Sequence, residues 1–193
     1  MENPGHSADP RPFAAATAVR SRSRGAETER FDAAVRPGWD ILGNANGGYL
    51  LTIAARAMSV HLDRPDPVTV TGHYLSPGTP GPLEAEVDEV RSGRRFSTAS
   101  CTLRAGDKPL LGALGTFSDL SGATGPRKVD AAPPDLPAVE DCVDVSTRKR
   151  EPGGELSFMD RVDLRLHPED AGFSRGDPVA QSRQLALVPR DQG

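Results

Sequence analysis

The sequence predicts an α+β domain in which an antiparallel sheet wraps around one long buried helix. Two observations support this fold class: a long apolar segment from Leu50 to Leu62, and a series of alternating segments from Val68 to Phe117 with turn residues between them. A long apolar run favours a helix inside its fold, whereas period-two alternation is typical of strands with one face in the core.

The predicted helix is apolar on almost every face, since only Thr52, Arg56, Ser59 and His61 interrupt it. We therefore expect it to be buried. It is too short and too polar to span a membrane, which takes about 20 apolar residues. Asn46 is a suitable N-cap, and the free N–H groups of the first turn, together with the helix dipole, favour a carbonyl oxygen or an anion there.

Five strands are predicted around this helix. The sequence places them at Arg30 to Val35, Val68 to Leu75, Leu83 to Val90, Arg95 to Leu103 and Leu110 to Phe117. Turn signals at Ser76-Pro77-Gly78, Ser92-Gly93 and Gly106-Asp107 separate the last four. Short turns between alternating segments indicate an antiparallel meander.

Composition indicates a soluble protein with its core in the middle of the chain. The 193 residues have a net charge of -4 and a mean hydropathy of -0.46, which gives no electrostatic basis for binding nucleic acid. Six of the nine aromatic residues lie between Phe31 and Phe117. Cys101 and Cys142 form no metal or redox motif, which is typical of reduced thiols in a cytoplasmic protein.

The two ends of the chain are expected to differ from the middle. Residues 1–25 carry a basic run from Arg20 to Arg24 after a short apolar stretch, the reverse of a signal peptide, and we expect a disordered leader. A solvated tail is favoured over an anion-binding role for that run. Residues 121–155 are rich in Pro and Gly and read as a linker. Two further strands are expected at Phe158 to Leu166 and Pro178 to Val188.

Three segments carry a family resemblance: Asn46 to Leu50 at the helix start, Val68 to Gly78 in the next strand, and Arg94 to Thr98 after a hairpin. In their order and spacing, residues 26–120 resemble a hotdog fold and, more narrowly, the first hotdog unit of the TesB-like acyl-CoA thioesterase family. The resemblance implies hydrolysis of fatty acyl-CoA to a free acid and CoA, a role in lipid metabolism, and no cofactor.

Members of this family usually carry two hotdog units in one chain. Met159 to Leu166 resembles the opening strand of a second unit, but residues 156–193 are too few for a unit of about 100 residues. We therefore expect an incomplete second unit. The family's catalytic acid, hydroxyl and amide lie in that second unit, and no position here matches them.

Candidate chemistry must then come from the first unit. Thioester hydrolysis needs a donor for the carbonyl oxygen and a base or positioning group for water. Asp40, Asn44 and Asn46 are the candidate catalytic residues, with Asp40 as the carboxylate for water. The substrate-binding candidates are Gly47, Gly48, Tyr49, His73 and Tyr74.

Structural interpretations of the same residues stay open. The two glycines could serve only close packing. Asp40 could accept hydrogen bonds from its own loop, and one of the two asparagines could be only the helix cap. His73 could be a packed or edge residue, and both tyrosines could line an acyl tunnel or the core.

Other chemistries fit less well. Gly172 to Gly176 matches the G-x-S-x-G pattern of serine hydrolases, but no buried strand precedes it, no helix follows, and no later histidine exists. Hotdog hydratases place a histidine near the helix entry, and none lies between Asp40 and Tyr49. Phosphate-binding glycine motifs and metal-ligand clusters are absent.

A noncatalytic acyl-CoA-binding module and an inactive remnant remain the alternative functions. Because hotdog units leave a sheet edge and one helix flank open, we also expect association with a second copy through that edge. Neither nucleic acid nor membrane is an expected partner.

Overall fold

A computed structural model describes residues 12–25, 27–126, 128–130, 137–144, 158, 161–172, 176 and 186–189 of the chain. The chain divides into two compact units, Met1–Thr124 and Gly125–Gly193. No helix in these described ranges is both long and apolar enough to cross a membrane.

The first unit combines one long helix with a six-stranded antiparallel sheet. Its elements are α1 Pro12–Ala16, β1 Arg20–Arg24, β2 Thr28–Val35, β3 Asp40–Ile41, β4 Asn44–Ala45, α2 Gly47–Leu62, β5 Asp66–Tyr74, β6 Gly81–Arg91, β7 Phe96–Ala105 and β8 Lys108–Ser118. The strand order in the sheet is β1-β2-β6-β7-β8-β5, and β3 and β4 form a separate hairpin. This arrangement confirms the predicted α+β class and the meander from β6 to β8. The predicted meander of four strands is wrong for β5, which pairs with β8 at the edge of the sheet and not with β6.

The predicted element positions agree closely with the observed ones. All five predicted strands are present, with ends displaced by no more than two residues, and α2 begins three residues earlier than predicted. The early start arises because Asn46 caps the helix, so that both glycines fall inside the first turn.

The core lies between α2 and the concave face of the sheet. Ile53, Ala54, Ala57 and Met58 of the helix are fully buried, and the sheet contributes Phe31, Val87, Leu103, Leu111 and Phe117. Gly115 on β8 leaves room for the helix, since a Cβ atom there would lie 3.1 Å from the Met58 methyl carbon. Close helix-to-sheet packing therefore depends on a missing side chain at this position.

Burial of α2 is less complete than its sequence predicts. Leu51 and Ala55 of the helix are only half-buried, and Val60 is exposed. The expectation of a helix buried on every side is therefore wrong for the first unit described by itself. Leu51 and Ala55, about one helical turn apart, form an open flank of the helix, and Val60 lies on the opposite side.

The N-terminal segment also differs from the prediction of a disordered leader. Residues 1–11 lie outside the described residues, but 12–16 form a helix and β1 pairs antiparallel with β2. Arg20 and Arg22 form ion pairs with Asp32, and Arg22 also pairs with Glu84 of β6. The arginines that suggest a solvated tail are instead matched by acidic residues on the neighbouring strands.

The second unit contains a three-stranded sheet in the order β11-β10-β9. Its strands are β9 Val143–Asp144, β10 Val162–Leu166 and β11 Ala186–Pro189, and a short 3-10 helix, Val139–Asp141, precedes them. β10 agrees with the second half of the strand predicted at 158–166. β11 overlaps the strand predicted at 178–188 only at 186–188, because 178–185 lie outside the described residues. The interpretation of residues 156–193 as an incomplete hotdog unit stays a prediction.

Candidate functional site

The hairpin before α2 positions Asp40. Its Oδ1 atom accepts a hydrogen bond from the N–H of Gly38 and its Oδ2 atom from the N–H of Gly43, both at 3.2 Å. The turn needs left-handed backbone at Leu42 and Gly43, with φ of 51° and 80°. Asp40 therefore shapes the loop that leads into the helix, as its structural interpretation expected.

Asn46 is the N-cap of α2, which confirms the prediction. Its Oδ1 atom accepts a hydrogen bond from Tyr49 N at 3.1 Å, and its own N–H donates to the carbonyl oxygen of Trp39 at 2.9 Å. Within the described chain, no partner is found for the N–H groups of Gly47 and Gly48 or for Asn46 Nδ2. Three free donors thus meet at the positive end of a 16-residue helix.

Tyr74 lies directly beside these donors. A Cβ atom on Gly47 would be 3.1 Å from Cε1, Cζ and Oη of the Tyr74 ring, whose residue is 55% exposed. Two residues earlier on the same face of β5, a Cβ atom on Gly72 would lie 2.8 Å from a Leu51 methyl carbon. The C-terminal end of β5 therefore packs along the start of α2, and Tyr74 belongs to the same surface as Gly47.

His73 lies apart from this surface, and Asn44 lies in the hairpin that precedes it. His73 is exposed and alternates with Gly72 and Tyr74, so its side chain points to the opposite face of the sheet. Asn44 is exposed in the hairpin, where its Nδ2 atom donates to the Leu42 carbonyl at 3.5 Å. The structure brings together Asn46, Gly47, Gly48 and Tyr74, and it does not bring His73 to them.

Tyr49 is part of the core. It is 2% exposed, and its ring stacks on Trp39 at a centroid distance of 5.2 Å. Its hydroxyl oxygen lies 2.7 Å from the Ala16 carbonyl and 3.0 Å from the Ala34 carbonyl, and it accepts a hydrogen bond from Arg36 N. Of its two expected roles, the structure supports the core role, since the side chain is buried and its ring is packed on Trp39.

A buried acid-base pair at the other end of α2 was not anticipated. Glu29 of β2 is 1% exposed, and its Oε2 atom lies 3.0 Å from Nδ1 of His61 while Oε1 accepts a hydrogen bond from Ser21. Burial raises the pKa of Glu29, but the hydrogen bonds from Ser21 and His61 and the charge of Arg24 outweigh it and keep that pKa below its ordinary value. The sequence did carry one signal for it: Glu29 lies two residues before the core residue Phe31 on the same strand, so both side chains face the core.

The Cys101 thiol, possible metal ligands and the serine-hydrolase match were also considered as sites. Burial and the charges of Asp88 and Glu86 raise the pKa of Cys101 to about 12, so this thiol stays protonated and unreactive. The described residues contain no group of three His, Cys, Asp or Glu that could hold a metal ion. The serine-hydrolase match lies partly outside the described residues, because 173–175 are not among them.

Residues 35–118 match a family model described as the acyl-CoA thioesterase N-terminal domain. The matched segment begins at the last residue of β2 and ends with β8, and it includes the hairpin, the start of α2 and Tyr74. No curated protein matches the sequence.

Solved structures share the fold. A crystal structure of a protein provisionally named thioesterase II, from Thermobifida fusca YX, is 26% identical, with a TM-score of 0.76 over 94% of this chain. A hotdog-fold protein of unknown function from Alicyclobacillus acidocaldarius is 21% identical, with a TM-score of 0.62 over 79% of this chain. This chain spans 65% and 54% of the lengths of those two proteins.

These likenesses define the fold of the first unit. It is a hotdog fold, with one long helix against an antiparallel sheet. The family model and the name of the Thermobifida protein both refer to thioesterases.

Proposed function

We propose that this protein is a TesB-like thioesterase that hydrolyses fatty acyl-CoA to a free acid and CoA. The observation that carries the proposal is the group of free donors at the start of α2, formed by Gly47 N, Gly48 N and Asn46 Nδ2. They lie within the segment that matches an acyl-CoA thioesterase domain.

The donors would act on the thioester carbonyl. As water adds to the carbonyl carbon, the carbonyl oxygen becomes negative, and fixed N–H groups at a helix N-terminus stabilise that charge without reorganising. The absence of side chains at Gly47 and Gly48 lets the substrate approach the backbone. Tyr74 would form one wall of this approach, because its ring lies against Gly47.

Water attack also requires proton transfer. The oxygen of water forms a bond to the carbonyl carbon, the C–S bond breaks, and the proton lost by water passes to the leaving thiolate. Asp40 is the proposed carrier, since each carboxylate oxygen keeps a second lone pair beyond its hydrogen bond to the loop. Asn44, on the same hairpin, would orient the water.

The acyl chain would lie along the open flank of α2. Leu51 and Ala55 are half-buried there, and Gly72 of β5 lies against Leu51. A fatty chain would bury this apolar surface, and each buried CH₂ group contributes about 0.8 kcal/mol.

We also propose that a second copy covers the β5 edge. Strand β5 ends the sheet, and Val68 and Tyr74 on its helix-facing side are 46% and 55% exposed. An exposed, apolar edge strand is a template for pairing with another chain. The opposite edge, β1, carries arginines instead, which disfavours such pairing there.

The proposed chemistry is tested by changing Gly47 in two ways. Gly47 is the first helical residue, a position that tolerates proline, and Asn46 has the extended ψ of 134° that a following proline requires. Gly47→Pro removes the N–H donor. Gly47→Ala adds the same Cβ atom beside Tyr74 and keeps the donor.

Release of CoA thiol from a panel of short to long acyl-CoAs is the measurement. We expect the proline variant to be about 10² to 10³ slower in kcat than the alanine variant, the effect of losing one such donor. Equal rates in the two variants would exclude the N–H of Gly47 from the reaction. Acyl-CoA binding without turnover in the wild type would support the binding-module alternative instead.

A further inference from the structure

A second candidate site lies at the far end of α2. A cavity of about 350 Å³ is lined by Arg64, Arg94, Arg95 and Phe96, and by residues 118–124 that follow β8. Arg64 lies two residues beyond the end of α2, so roughly 24 Å of helix separates the cavity from the donors at Gly47. This cavity is therefore distinct from the proposed thioester site.

None of the three guanidinium groups of the cavity is engaged in an ion pair. Within the described chain, Arg64, Arg94 and Arg95 form no such pair, and Arg64 has only an electrostatic interaction with Asp119. Arg64 is held in place by contacts of 3.4 Å from its Nη2 atom to the carbonyl oxygens of Gly93 and Arg94.

A cavity of similar size beside β1 and β2 provides a contrast. It has a volume of about 380 Å³ and contains Arg20 and Arg36, but Arg20 is paired with Asp32 at 3.2 Å. Its charge is therefore partly neutralised within the protein. The cavity at Arg64 keeps its positive charges available to a ligand.

One carboxylate opposes these charges. Asp119 lines the cavity, but its Oδ1 atom accepts hydrogen bonds from both the N–H and the hydroxyl of Ser121. This carboxylate is thus engaged in shaping the 119–121 turn. Three guanidinium groups against one carboxylate leave the cavity positive, with an exposed aromatic ring, Phe96, at its wall.

We propose that this cavity binds a phosphate monoester carried on an aromatic base, as in a nucleotide. Guanidinium groups match the geometry of phosphate oxygens in bidentate pairs. The exposed guanidinium groups of Arg94 and Arg95 would bind the phosphate oxygens, and the ring of Phe96 would stack on the base. The phosphate could belong to a free nucleotide or to the 3′-phosphate of CoA, and the chemistry of recognition is the same.

Calorimetric titration of the full chain at pH 8 tests the proposal, with inorganic phosphate, AMP, adenosine, CoA and dephospho-CoA as probes. The second phosphate pKa is near 6, so the dianion is present at this pH. The cavity variant is Arg94→Gln/Arg95→Gln, both at exposed positions. The matched control is Arg20→Gln/Arg36→Gln, which removes two equally exposed charges from the other cavity.

We expect AMP to bind more tightly than phosphate, adenosine to bind least, and the cavity variant to lose at least about tenfold in AMP affinity while the control is unchanged. A preference for CoA over dephospho-CoA that disappears in the cavity variant would assign the phosphate to CoA, and equal binding of both would assign it to a free nucleotide. Absence of AMP binding, adenosine binding as tight as AMP, or equal losses in both variants would overturn the proposal.

The cavity lies at the other end of α2 from the free donors. If the nucleotide-binding proposal is overturned, the proposed thioester chemistry is therefore not affected. The Gly47 variants are expected to bind AMP normally. The cavity variant is expected to keep its turnover of a substrate that saturates the protein.

Discussion

The hydroxyl of Tyr49 connects three separate segments of the first unit. It lies within hydrogen-bond distance of carbonyl oxygens in α1 and β2 and accepts the N–H of Arg36. A single buried hydroxyl thus fixes the N-terminal helix against the domain. The sequence predicted Tyr49 as a substrate-binding or core residue and could not show these hydrogen bonds, because its three partners lie 13, 15 and 33 residues away.

Tyr49→Phe keeps the ring on Trp39 and removes only the hydroxyl. It leaves buried backbone groups without partners, so we expect a loss of about 1–3 kcal/mol in the free energy of unfolding. Urea denaturation measures this loss. Tyr74→Phe is the control, since its exposed hydroxyl has no recorded partner in the described chain and its loss should stay within about 0.5 kcal/mol.

Asp40 has a structural and a proposed chemical role, and Asp40→Asn separates them. Asparagine keeps one oxygen for the loop N–H groups, so we expect a stability loss of only about 1 kcal/mol. It cannot carry the proton, so kcat should fall by about 10² or more. A fall in kcat that only follows the loss of folded protein would assign Asp40 to the loop alone.

Among the elements, α2 and the meander were predictable from the sequence, and β1 was not. Periodicity and turn residues identify α2 and β5 to β8, because these signals are local. Strand β1 alternates Arg and Ser, a pattern typical of a solvated tail, and its order depends on ion pairs with Asp32 and Glu84 from distant parts of the sequence. Local sequence patterns cannot predict ion pairs between residues that are distant in the sequence.

The Glu29 cluster couples the docking of β1 to pH. Because the pKa of Glu29 is lowered on folding, its ionised form stabilises the fold above its ordinary pKa of 4.5, and this stabilisation is lost as pH falls through the lower folded value. Glu29→Gln should cost about 1.5–3 kcal/mol at pH 7 and progressively less below pH 4.5. Urea unfolding between pH 3 and pH 7 measures the difference. A constant difference across this range would contradict the account.

At the scale of the whole molecule, the hotdog unit was predictable and the arginine cavity was not. The helix and the meander from β6 to β8 follow from local signals in the sequence, whereas the pairings of β2 with β6 and of β5 with β8 do not. The cavity joins Arg64, the β6–β7 hairpin and residues 118–124, which are distant in the sequence and are brought together by the pairing of the strands. Short sequence motifs cannot predict this cavity, because its lining residues are separated by tens of residues in the sequence.

Pairing of two copies through β5 gives a prediction at the same scale. Val68→Lys places a charge on the exposed edge strand, and we expect it to shift the protein from dimer to monomer in light scattering at micromolar concentration. Leu114→Lys is the matched control, because Leu114 is similarly exposed but belongs to an inner strand, β8. A wild-type protein that is already monomeric would contradict the proposed pairing.

The most direct test of the central claim is the ratio of kcat for acyl-CoA hydrolysis between Gly47→Ala and Gly47→Pro. If the first N–H of α2 polarises the thioester carbonyl, the ratio is about 10² to 10³. A ratio near one, or a folded wild-type protein that releases no CoA from any acyl-CoA, would contradict it.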